Sequence, residues 1–232
     1  FQIVRRICDD YGILLIADEV MTGAGRTGKW LACHHFDLVP DIIVMGKGLT
    51  GGYFPLSTLG VKREIIDSIF EKRKNFLHFQ TFTHHPVGCA AGAAAADYIR
   101  EHNLLERCSR MGSMLRRELS GLAEHPHVGD IRGEGLLIGI EFVLEKETKR
   151  PFPREMKYAE NFVRKALEKG LVLWPNTGHA GGMDGDLVLV APPFIIGREE
   201  ISQIVNLMGE TLEEIKNTIQ GGGKWEKGPN LR

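Results

Sequence analysis

Two short apolar runs end abruptly on charged residues, and that pattern constrains the fold of this chain more than any other. Leu14-Leu15-Ile16-Ala17 runs into Asp18-Glu19, and Ile42-Ile43-Val44-Met45 runs into Gly46-Lys47-Gly48. Runs this short and this apolar, bounded by glycines or charges, predict strands buried on both faces of a parallel sheet. Ligands of such sheets bind beyond the carboxyl ends of the strands. An acid and a lysine delivered to that end predict a cofactor site.

The rest of the pattern fills in around these strands. Ile3, Ile7 and Cys8 form a helical stripe closed by Tyr11-Gly12. Residues 13–17 and 42–45 read as two buried strands and 56–61 as a third, followed by an amphipathic helix over 63–73. Residues 76–86 form an aromatic, histidine-rich loop. The alanine-dense stretch 87–100 predicts a tightly packed, buried helix. The texture changes near Arg100. Residues 104–122 carry Leu105, Cys108, Met111, Leu115 and Leu119 at helical spacing. Strands are predicted at 127–132 and 136–143 around the Gly133-Glu134-Gly135 turn, and a helix at 157–169 stops at Gly170. Strands at 171–174 and 187–190 flank a glycine-rich loop. A closing helix over 199–218 precedes a polar tail. Residues 1–99 thus read as part of a parallel α/β domain, and 100–232 as a smaller α+β domain.

Bulk properties exclude several classes. A chain 43% hydrophobic and 25% charged is an ordinary globular one. A net charge of -1 provides no footprint for nucleic acid or an anionic membrane. No apolar run is long enough to cross a bilayer. Cys8, Cys33, Cys89 and Cys108 are scattered without a CxxC pair, which predicts buried free thiols in a reducing cytoplasm rather than a disulfide framework or metal site. The pairs His34-His35 and His84-His85 lack metal-ligand spacing. Gly23 to Lys29 imitates a phosphate loop, but Trp30 stands where a Ser or Thr must hold magnesium. Gly133-Glu134-Gly135 has no βαβ unit around it to make a dinucleotide fingerprint.

An apolar strand ending in an acid beside one ending in a lysine fits pyridoxal phosphate (PLP) chemistry. A lysine amine forms the imine and shuttles a proton, an acid keeps the pyridine nitrogen protonated, and hydroxyl or amide donors hold the phosphate. Lys47 and Asp18 fit the first two needs. Thr81, in Gln80-Thr81-Phe82-Thr83-His84-His85-Pro86, fits the third, with Thr83 as a neighbouring rival. Each has a plainer reading. Lys47 could be a surface lysine, Asp18 and Thr81 helix caps, and Glu19 a partner of a helix dipole.

On these residues the chain resembles the class III PLP-dependent aminotransferases, the family of ornithine, 4-aminobutyrate and ω-amino acid transaminases. The match runs through Leu15-Ile16-Ala17-Asp18-Glu19-Val20, Gly25-Arg26-Thr27-Gly28-Lys29, Pro40-Asp41-Ile42, Gly46-Lys47 and Gly51-Gly52. It continues at Thr81-Phe82, His85-Pro86, Ile131-Arg132-Gly133-Glu134-Gly135-Leu136 and Ala191-Pro192-Pro193. The resemblance implies the aspartate-aminotransferase-like type I fold, with 1–99 as the second half of the large PLP domain and 100–232 as the small domain. It implies Lys47 as the Schiff-base lysine, Asp18 as the pyridine partner and Val20 packed against one ring face. It also implies a homodimer in which Thr81 holds the phosphate in the neighbouring subunit's site.

The implied reaction moves an amino group from an amine or ω-amino compound to a keto acid. Family members are much longer, and this chain, which begins at Phe1 in mid-helix, resembles their carboxyl-terminal half. A separate amino-terminal-half chain is therefore a second expected partner, and a fragment inactive without it is one alternative. A PLP-dependent aminomutase keeping the same lysine and acid is another. Residues 176–186 contain no arginine where many relatives grip the substrate carboxylate, and His179 is the nearest basic side chain there.

Overall fold

The computed structural model describes residues 1–78 and 80–221. The tail beyond them, read as polar, lies outside the described residues. The chain divides into two compact units, Phe1–Ser109 and Arg110–Arg232, whereas the change of texture in the sequence falls near residue 100.

The first unit opens with α1 (Gln2–Asp10) and holds a three-stranded sheet in the order β1 (Ile16–Asp18), β2 (Ile42–Met45), β3 (Thr58–Val61). β1 and β2 are parallel, with Ile16 opposite Ile42 and Asp18 opposite Val44. β3 runs antiparallel to β2, so the sheet is mixed rather than wholly parallel. Asp41, just before β2, pins the start of the sheet. Its carboxylate meets Arg5 at 2.8 Å and Lys62 at 2.7 Å and accepts the Leu15 N–H at 2.7 Å. These bonds hold α1, β1 and the entry to α2 (Arg63–Arg73) around one buried charge.

Two expectations of burial are corrected here. The strands are not covered on both faces: Ile16 is 58% and Leu59 is 59% exposed. The described residues of the unit build only three strands and supply no layer over these side chains. Nor is α3 (Pro86–Glu101) buried through its alanines. Gly88, Gly92 and Ile99 are its buried positions. A Cβ on Gly88 would stand 2.9 Å from the Phe54 ring, and one on Gly92 3.0 Å from Leu56, so the helix approaches the β2–β3 connection through its glycines. Cys89 on this helix is exposed, while Cys8, Cys33 and Cys108 are buried, and none of the four is in a disulfide.

After α4 (Leu104–Leu119), the second unit builds an antiparallel sheet. Its strands are β4 (Val128–Glu134), β5 (Leu137–Phe142), β6 (Trp174–Ala180) and β7 (Asp184–Val190), in the order β4-β5-β7-β6. Helices α5 (Tyr158–Glu168) and α6 (Arg198–Gln220) complete it. Ile138, Ile140 and Phe142 alternate inward on β5, as do Val188 and Val190 on β7. Phe142 packs on Tyr158 and Phe162 at centroid distances of 5.0 and 4.8 Å. The stretch expected as a glycine-rich loop is a strand hairpin instead. β6 is an edge strand with a solvated face, so its polar residues mask its extended backbone.

Candidate active site

The β2 strand ends at Met45, and Gly46 carries the chain out in extended geometry. Lys47 then adopts φ 43°, a left-handed conformation that costs a lysine about 1–2 kcal/mol. Residues Lys47–Thr50 form a 3-10 turn, in which the Leu49 N–H donates to the Gly46 carbonyl at 3.0 Å. Buried Thr50 donates its hydroxyl to the Phe54 carbonyl at 2.6 Å and so curls the following loop back. The result is an open cavity of about 670 Å³ lined by Val20, Gly46, Lys47, Gly52, Phe54, Pro55, Leu56 and Ser57. Lys47 is exposed there and its amine, among the described residues, has no hydrogen bond or ion pair. Gly46 leaves its floor open: a Cβ there would fill the space to ordinary contact, 3.7 Å from both a Val20 methyl and the Leu56 carbonyl.

The neighbouring parallel strand delivers the acids. Successive strand residues face opposite ways, and Asp18 is exposed while Glu19 is only 3% exposed. Asp18 caps no helix, since turns follow it, but its Oδ1 accepts the Val20 N–H at 3.0 Å. That bond leaves Oδ2 without a partner among the described residues. Glu19 turns inward and accepts from the Thr22 hydroxyl at 2.5 Å, Ala32 N–H at 2.9 Å and Cys33 N–H at 2.7 Å. Burial pulls its pKa upward, but these donors together outweigh burial and hold it below the ordinary value.

Lys47 and Val20 therefore line one cavity, and Asp18 lies at the same end of the sheet. Thr81 lines no part of that cavity. It is exposed in the turn over residues 81–84, while its rival Thr83 is engaged, accepting the Gln80 N–H at 3.0 Å. The Gly23 to Lys29 loop is closed on itself. Gly28 N–H donates to Gly25 O at 2.9 Å, and Lys29 is turned to the His34 carbonyl at 2.8 Å. Sequence reasoning missed the wall formed by Phe54, Pro55, Leu56 and Ser57. Its signal was the Gly51-Gly52 pair, whose positive φ angles turn the loop back.

The class III aminotransferase family model matches residues 1–212. The chain belongs to the class III aminotransferases. It is 35% identical to an uncharacterized aminotransferase, YodT, of Bacillus subtilis over 95% of this chain and 50% of the relative. It is 35% identical to an adenosylmethionine-8-amino-7-oxononanoate aminotransferase of Geobacter sulfurreducens, over 94% of this chain and 46% of that protein. A Bacillus anthracis aminotransferase structure superposes with a TM-score of 0.83 at 40% identity, covering 91% of this chain and 47% of that one. The class III chain described here thus spans about half the length of the relatives it matches. Its fold is the transaminase fold in part, a partial α/β unit followed by an α+β unit.

The residues present fit the family's PLP. A primary amine projects without a partner into a cavity that a side chain on Gly46 would narrow, and a carboxylate oxygen is free at the end of the adjoining strand.

Proposed function

We propose that this chain carries the PLP-binding lysine of a transaminase, Lys47, which serves transfer of an amino group from an amine or ω-amino compound to a keto acid. The observation that carries this reading is the partnerless Lys47 amine in the cavity it shares with Val20, beside the carboxyl end of the strand bearing Asp18. One relative, at 31% identity, is named a gamma aminobutyrate transaminase, which supports the ω-amino class of donor.

Bound PLP supplies an electron sink for charge developing at the substrate Cα. Asp18 Oδ2 would accept a hydrogen bond from a protonated ring nitrogen. Val20 provides an apolar methyl surface. Lys47 Nζ would move the proton from the donor's amine-bearing carbon to the bound cofactor, and in the acceptor half would move one from the cofactor to the acceptor's former carbonyl carbon. The exchange balances without an added oxidant, because the donor's amine carbon becomes a carbonyl as the keto acid's carbonyl becomes an amine. Thr81, exposed and outside the Lys47 cavity, is read as the phosphate ligand for the site of a second copy. The test is incubation with PLP, borohydride reduction and mass-spectrometric mapping. A selective adduct on Lys47 is expected, and a selective adduct on a different lysine would overturn the assignment.

A second reading concerns the chain by itself. The uncovered sheet of the first unit supports a fragment that needs a further polypeptide to complete its site. Mixing with an amino-terminal-half polypeptide of a relative is then expected to raise PLP affinity and transamination together. Full activity of the chain alone would sink this second reading.

A further inference from the structure

We infer that Glu19 is a positioning residue of the Lys47 site, holding Asp18 and Val20 in place by tying down the loop behind them. The inference rests on the PLP reading of Asp18 and Val20. Three links connect Glu19 to the site. The Val20 N–H is committed to Asp18 Oδ1 at 3.0 Å, so the carboxylate orientation follows the Val20 backbone. That backbone is clamped on either side, by Glu19 N–H donating to Val44 O at 2.8 Å and Gly23 N–H donating to Glu19 O at 2.9 Å. The Glu19 carboxylate then fastens the turn to Thr22 and to the 3-10 segment Ala32–Phe36 through Ala32 and Cys33.

The turn has no slack to absorb a loss of these bonds. A Cβ on Gly23 would sit 2.7 Å from the Glu19 carbonyl and 3.3 Å from the Met45 side chain. Removing the buried carboxylate orphans buried donors, which seek water and open the loop. A loop that opens there carries Val20 with it, and Val20 carries the Asp18 carboxylate bonded to its N–H.

Glu19→Gln tests this in the full chain, since its amide has one acceptor oxygen where the carboxylate has two. Amide hydrogen exchange without cofactor is expected to speed up about tenfold at Val20 as well as at Ala32 and Cys33, as local opening does. With nitrogen-15-labelled PLP bound, the ring-nitrogen signal is expected to move toward its unprotonated position, which a merely stabilising role would not cause. Faster exchange at Ala32 and Cys33 with Val20 unchanged would overturn the inference. If Glu19→Gln does not fold, Thr22→Ala is read the same way, with a smaller rise at Val20 expected and none overturning the inference. A parent chain that never takes PLP would defeat the cofactor reading, leaving Val20 exchange to decide the role of Glu19.

Discussion

At the scale of single residues, the two strand-end groups separate by what each change should remove. Lys47→Ala is expected to abolish the borohydride-trapped adduct at that position while leaving the melting temperature nearly unchanged, because the side chain is exposed. Asp18→Asn is expected to keep the adduct and lower the transamination rate of the completed enzyme by on the order of a hundredfold or more. A near-normal rate in Asp18→Asn would remove Asp18 from the site. Asp41 has a different task. The Leu15 N–H, Lys62 and Arg5 hold its carboxyl well below the ordinary value of 3.8. Its contribution to stability is therefore complete above that value and fades as falling pH protonates it in the folded state. Asp41→Asn should cost about 1–3 kcal/mol at neutral pH, with the gap to the parent narrowing in urea titrations taken below pH 3.8. Lys47 and Asp18 were legible because a charge after an apolar run is conspicuous. The knot at Glu19 was not, because its main partners are backbone donors at Ala32 and Cys33, far along the chain, and a backbone N–H leaves no trace in residue type.

At the scale of elements, legibility followed the strength of the local pattern. β2 over residues 42–45 and α2 over 63–73 sit where the sequence places them, because each is bounded by glycine or charge and each keeps one period. The β6–β7 hairpin was hidden by Pro175, Gly178 and the polar residues of an edge strand, and its register is set by neighbouring β7. The turn expected at Gly133-Glu134-Gly135 falls later, at Gly135-Leu136, because Gly133 and Glu134 still pair with β5, and its tight packing was not legible. A Cβ on Gly112 of α4 would stand 2.2 Å from the Gly135 carbonyl. Gly112→Ala is therefore expected to destabilise the second unit by about 1–3 kcal/mol despite the better helix propensity of alanine, read as a lower melting temperature. His125 adds a pH dependence to the same unit. Burial, then His127, Lys216 and Lys146, push its pKa from 6.5 down to about 4, against an opposing pull from Glu213. The unfolded chain takes a proton that the folded one refuses, so stability should fall as pH drops from about 6.5 to about 4. His125→Gln should flatten that slope in denaturant titrations, and an unchanged slope would assign the proton uptake elsewhere.

At the scale of the whole chain, the burial error in the sheet is the informative one. Apolar runs such as residues 13–17 are selected for a covered parallel strand, yet Ile13, Leu14 and Ile16 are all more than half exposed, as is Ile3 on α1. Among the described residues, the outer edge of β1, opposite β2, has no neighbour in its sheet. Monomeric proteins seldom leave such surface open, and an unpaired strand edge invites pairing with another chain. The chain matches about half the length of its relatives, and the cover we propose is the further polypeptide of the second reading above, equivalent to their amino-terminal half. The purified chain alone is expected to bind a hydrophobic dye strongly and to self-associate. Adding that polypeptide should suppress both effects and yield one complex of defined mass by sedimentation. The apolar side chains then pass from water to protein contact, which favours association by roughly 25 cal/mol for each Å² buried. If dye binding and sedimentation stay unchanged while both polypeptides remain folded in solution, the open face is a stable surface of this chain. The sequence pattern of a covered strand would then need a different occupant, and a second copy of the chain would be the next to test.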